Sequence, residues 1–223
     1  MSQRYPVPAA RTRSEIEVKK SRFIATAAPV FSVDEARAFI AQIKAEFSDA
    51  SHNVPAFLIG HGTAVTAHCS DDGEPSGTAG RPVLAVLQGS GLGDIALVVT
   101  RYFGGTKLGT GGLVRAYTDA AKAILELLPR AEKVPTHTVM MALPYNYLER
   151  IRLLVERWHG RVLDEAFAAD ITVTAQFTVT QFPHFQNELQ EISHGSLAAE
   201  IIETNEETIM PPGTFPEEIE GEL

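Results

Sequence analysis

Arg101 and Lys107 bracket the pair Gly104-Gly105, and Gly109, Gly111 and Gly112 follow at once. Two long cations beside backbone N–H groups that no side chain shields can hold a phosphate or another anion. Arg115, three residues past Gly112, adds a third cation within reach. A second reading of the same residues is structural: the glycines serve tight packing, and Arg101 pairs with an acid such as Asp71 or Asp72. Binding is set ahead of packing, because a structural turn rarely needs five glycines within nine residues. The expected binding residues are therefore Arg101, Gly104, Gly105, Lys107, Gly109, Gly111, Gly112 and Arg115.

Asp71, Asp72 and Glu74 form the other chemically suggestive group. Three carboxylates could hold Mg²⁺ or act as acid and base, yet neighbouring acids in an Asp-Asp-Gly-Glu turn more often stay solvated, and the spacing is not that of an EF-hand. They stand as a candidate acidic cluster, with no catalytic residue assigned. The glycine loop is not a phosphate-binding Walker loop, since no Gly-Lys-Ser/Thr closes it. Gly91-Leu-Gly-Asp-Ile-Ala precedes a strand, whereas a dinucleotide fingerprint follows one. His52, His61 and His68 have spacings of no ligand set, and Cys69 has no evident activating base. No cofactor and no metal are expected. Tyr102 and Phe103 invite base stacking, but strand alternation favours one ring in the core and the other at the rim.

The elements that must position these residues are partly explicit. Ile95–Val99 is an unbroken apolar run rich in branched residues, which predicts a strand covered on both faces. Beyond Gly112 the apolar residues Leu113, Tyr117, Ala120, Ile124 and Leu127 recur with helical spacing. The order is thus buried strand, basic glycine loop, helix start. Upstream, Glu15–Val30 reads as a strand, and Ser32 with Glu35 makes a capping box for a helix carrying Val33, Ala36, Ile40, Ile43 and Phe47. Ala56–Gly60 and Ala64–Cys69 read as strands. Ser76 or Thr78 is the expected cap of a helix with Pro82 in its first turn. After residue 130 the pattern reads strand, helix, strand, strand, helix, strand, the βαββαβ order of a ferredoxin-like sandwich.

Charge divides the chain the same way. The 223 residues carry a net −9, but residues 1–130 hold +2 and residues 131–223 hold −11. This argues against a broad nucleic-acid footprint over the whole protein and leaves room for a local basic patch. No apolar run reaches the ~18 residues of a membrane span, and the first residues lack a secretory core, so a cytoplasmic location is expected. The expected domains are 1–132, 133–204 and an acidic, disordered tail at 205–223.

Asp71-Asp-Gly-Glu-Pro-Ser-Gly-Thr78, Gly80 with Pro82-Val83-Leu84, and above all Val98-Val-Thr-Arg101-Tyr-Phe-Gly-Gly-Thr-Lys-Leu-Gly109 resemble the YigZ/IMPACT family. The resemblance covers about residues 18–128, with a weaker likeness to the C-terminal domain of bacterial members over 136–203. It implies an α+β protein of two domains: a left-handed βαβ fold similar to domain IV of the translocating elongation factor, then a ferredoxin-like domain. It also implies a translation-associated regulatory protein, stress-related in the eukaryotic members, rather than an enzyme. The expected partner is the ribosome, RNA or a translation-regulating protein. The alternative drawn from the residues is an enzyme holding a phosphorylated small molecule in the same loop.

Overall fold

The chain divides into two units, Tyr5–Glu132 and the part from Lys133 onward, in this computed structural model, which describes residues 4–212. The first unit runs β1 (Tyr5–Pro8), β2 (Thr12–Val18), β3 (Ser21–Pro29), α1 (Val33–Glu46), β4 (His52–Ile59), β5 (Thr66–Cys69), α2 (Gly80–Gln88), β6 (Ile95–Tyr102), α3 (Gly109–Leu127) and β7 (Arg130–Lys133). Its main sheet has the order β2-β3-β6-β4-β5 with antiparallel neighbours, so the crossover β3–α1–β4 skips the strand β6 that lies between. Strand β6 is central, as its composition requires. Ile95, Leu97 and Val99 face a core shared with α2 and α3, while Ala96 and Val98 face a second core under α1. A run apolar at every position fills both faces of a pleat at once.

Local signals account for several of these elements. Ser32 Oγ accepts from the Glu35 N–H as the capping box requires, whereas the Glu35 carboxylate accepts from the N–H of Phe31, one residue before the cap, instead of from Ser32. The buried face of α1 is Ala36, Phe39 and Ile43; Phe39 was not among the expected residues. Pro55 sits within β4 where the ladder to β5 has ended, so its missing N–H breaks no pair.

Other elements depart from expectation. The stretch read as one strand from Glu15 to Val30 is a hairpin, turned at Lys19 and Lys20 with φ of 47° and 68°. Two lysines in the left-handed region give no turn signal of the Asn-Gly kind. Helix α3 starts at Gly109 rather than after Gly112, and Leu127 is 63% exposed rather than part of the apolar stripe. Neither Ser76 nor Thr78 caps α2; Thr78 Oγ1 donates to the Pro75 carbonyl instead.

The second unit comprises β8 (Thr136–Leu143), a short 3-10 turn at Tyr145–Tyr147, α4 (Leu148–Arg157), β9 (Arg161–Phe167), β10 (Ile171–Thr178), α5 (Phe182–Ile192), β11 (Glu200–Asn205) and β12 (Ile209–Met210). Its sheet order, β11-β8-β10-β9, is the split βαββαβ arrangement. Ile171, Val173, Ala175 and Phe177 alternate into a core closed by Ile151, Leu154, Phe185 and Leu189. Residues 205–212, expected as the start of a disordered tail, instead continue the unit: Thr208 Oγ1 lies 2.7 Å from Thr136 Oγ1, and Met210 is buried against Val134. The rest of that expected tail, 213–223, lies outside the described residues. No helix among the described residues is long and apolar enough to cross a membrane.

Candidate functional site: a closed polar network beneath an exposed basic loop

Strand parity decides the direction of Arg101. It continues the odd series Ile95, Leu97, Val99, so its side chain enters the layer between the sheet and α3. There it is 5% exposed, and Nη1 donates to Glu74 Oε1 at 2.6 Å. Tyr117 of α3 donates to the same oxygen at 2.8 Å and meets Phe23 edge-on, with ring centroids 5.2 Å apart. Nη2 lies 3.5 Å from Ser21 Oγ, and the guanidinium carbon is 5.5 and 5.6 Å from the Phe23 and Phe103 ring centres. Arg101 is therefore an inward, carboxylate-paired residue and not the outward anion contact expected from the sequence. Its Nε has no hydrogen-bond partner. Burial first, and then the neighbouring Glu74 charge, push the Tyr117 hydroxyl far above its ordinary pKa, so it acts as a donor.

The acidic cluster is equally engaged. Asp71 accepts from the N–H groups of Gly77, Ala79 and Gly80, capping the start of α2 from nine residues away. Burial pushes its pKa up, but the backbone donors and the Arg81 charge outweigh this and hold it below the ordinary value. Asp72, at φ 48°, pairs with Lys44 and accepts from the Asn53 N–H. Burial again raises its pKa, and Lys44 with the Asn53 N–H reverses the shift. His52 Nδ1 donates to the Asp72 carbonyl at 2.8 Å, and its Nε2 lies 3.8 Å from Glu74 Oε2. The three acids thus occupy three different structural tasks rather than one solvated turn.

The histidines do not converge. His61 stacks on Tyr5 at 5.0 Å, and His68 lies against Phe57 at 5.3 Å, whereas His52 belongs to the network just described. Burial raises the Cys69 thiol pKa, the opposite of nucleophile activation.

Above the network the surface is open. The N–H of Gly104 donates to Ser21 Oγ, and that of Phe103 donates to Ser51 Oγ. A Cβ on Gly104 would fall 2.0 Å from the Lys20 carbonyl carbon, so the β2–β3 turn and the loop after β6 can abut only with glycine there. Gly105 and Gly109 take φ of 84° and 73° and meet nothing within 4 Å; Gly111 is exposed and Gly112 half-buried in the first turn of α3. No side chain caps that helix. Lys19, Lys20, Lys107 and Arg115 are exposed and have no hydrogen-bond or ion-pair partner among the described residues. Arg115, Asp119, Lys122 and Glu126, spaced along α3 at i+4, i+3 and i+4, form no ion pair among the described residues. Neither aromatic lies in the core: Tyr102 is half-buried and bonds Asp49, and Phe103 is 50% exposed. The sequence reading missed Glu74 as Arg101's partner and Lys19-Lys20 as part of this face. Strand parity from Ile95 could have shown that Arg101 turns inward, but no local signal named its partner or marked the lysine turn.

Fold and site together define a two-domain α+β protein with a sealed Arg-Glu-Tyr network under a basic loop face. Residues 19–125 match the Impact N-terminal domain family. A relative from Haemophilus influenzae described as an IMPACT family member is 39% identical over 91% of this chain and 98% of its own length. The Escherichia coli IMPACT family member YigZ is 37% identical, over 88% and 97%. A crystal structure of a hypothetical protein, 36% identical, superposes with a TM-score of 0.62 over 91% of this chain and 99% of that one. The chain belongs to the IMPACT family.

Proposed function

We propose that this protein is a non-catalytic, cytoplasmic, translation-associated regulatory factor whose first unit meets the ribosome, RNA or a ribosome-bound regulator through the exposed loop face. One observation carries the reading: around the loop, Arg101 is sealed against Glu74 and Arg22 pairs with Glu15, whereas the side chains of Lys19, Lys20, Lys107 and Arg115 have no partner among the described residues. The membership in the IMPACT family, with the translational role that its resemblance implies, supplies the biological setting. The enzymatic alternative is not favoured by the geometry, because Asp71, Asp72 and Glu74 are each committed to backbone donors or cations.

Co-sedimentation with ribosomes in a low-salt gradient tests the proposal. Wild type is expected in the ribosomal fractions, and a Lys20→Ala/Lys107→Ala variant is expected to leave them. Absence of wild type from those fractions overturns the association, and equal behaviour of the two proteins removes the loop face from it.

A further inference from the structure

Resting on that reading, we infer that the loop face binds a single-stranded polynucleotide, with one base stacked on Phe103 and the adjoining phosphates held by Lys20, Lys107 and Arg115. Phe103 is half exposed, yet it is not loose: its N–H is tied to Ser51, and the Arg101 guanidinium lies 5.6 Å from its ring centre. That cation is fixed in turn by Glu74. A ring held from one side by a buried cation and open on the other is a pre-organised stacking platform, because little rotamer freedom remains to be lost on binding.

Packing and chain order put these cations on the segments that flank the ring. Gly104, next in sequence, packs its backbone onto Lys20, which brings the β2–β3 turn against the loop. Lys107 stands four residues past Phe103, and Arg115 follows in the second turn of α3. Open aromatic faces interleaved with cations are the chemistry that single strands require, since every base offers a π-face and every nucleotide a phosphate. A duplex keeps its bases stacked inside and would engage the cations alone. An acidic protein surface would likewise use the charges and leave the ring without a purpose. The overall charge of −9 confines the contact to this patch and makes it weak and salt-sensitive.

The test is fluorescence anisotropy with a labelled oligo-uridine of about ten nucleotides. With about three phosphates neutralised, affinity should fall about twentyfold between roughly 50 and 200 mM salt. Phe103→Ala, at a surface position whose fold is checked by circular dichroism, should weaken binding about tenfold, and Phe103→Trp should restore it. Lys20→Ala/Lys107→Ala should flatten the salt slope by about 1.4. An oligo-deoxythymidine arm separates RNA from DNA: tighter uridine binding assigns RNA, and equal binding assigns any single strand, both with the stacking site intact. Unchanged affinity in Phe103→Ala overturns the inference, as does equal competition by a duplex or by polyglutamate. If wild type sediments with ribosomes while oligo-uridine does not bind, the proposed function stands and this inference alone falls.

Discussion

Removing the charge of Arg101 while keeping its length, as Arg101→Met does, should unfold the first unit far more easily than any exposed cation change. The side chains of Arg101 and Glu74 are 6% and 3% exposed. Deleting one member of such a pair strands the other charge away from water, at a cost of about 3–5 kcal/mol. Glu74 would retain the Tyr117 hydroxyl at 2.8 Å, which places the expected loss near the lower end, about 3 kcal/mol. Glu74→Gln should cost a similar amount, because the buried Arg101 charge would face only a neutral amide oxygen, Ser21 at 3.5 Å and its two aromatic neighbours. In the double variant neither charge is stranded, so its loss should fall short of the sum by about 2 kcal/mol or more. Urea unfolding reads this out. The single tryptophan, Trp158, follows α4 in the second unit, so its fluorescence serves as an internal reference while far-UV circular dichroism includes the first unit. Single-variant losses under about 1 kcal/mol, or strict additivity, would refute a desolvated pair and return Arg101 to the surface role.

Two further outcomes follow from the same site. Gly104→Ala forces a Cβ to within 2.0 Å of the Lys20 carbonyl carbon, whereas Gly105→Ala meets nothing and adds only left-handed strain. The second should cost about 1 kcal/mol by urea denaturation and the first clearly more, and the reverse order would contradict the abutting loops. Asp71 has a folded pKa held below its unfolded value, so its contribution is present above about pH 4 and lost as pH falls through the lower folded value. Asp71→Asn should therefore lower stability at neutral pH and flatten the acid limb below about pH 4, and an unchanged limb would show that the cap on α2 carries no linkage.

The sequence by itself determined what repeats locally. Ile95–Val99 announces a strand covered twice, Ser32 and Glu35 announce a helix start, and Ile171 to Phe177 announce a one-sided sheet. The glycine-rich string was enough to show the family resemblance, and Lys107 and Arg115 were already marked as surface cations. Tertiary structure decided what the chain must bring together from afar. Glu74 lies 27 residues from Arg101, and Asp71 caps a helix nine residues away, so no local pattern could announce either partner. The Lys19-Lys20 turn carries no glycine or asparagine, and its left-handed lysines are accepted because the seven-pair register of β2 with β3 fixes the hairpin around them. The physical reason is common to all three: periodicity and caps act over a few residues, whereas the choice of a buried charge's partner depends on strand order and on which face of the sheet each side chain must enter.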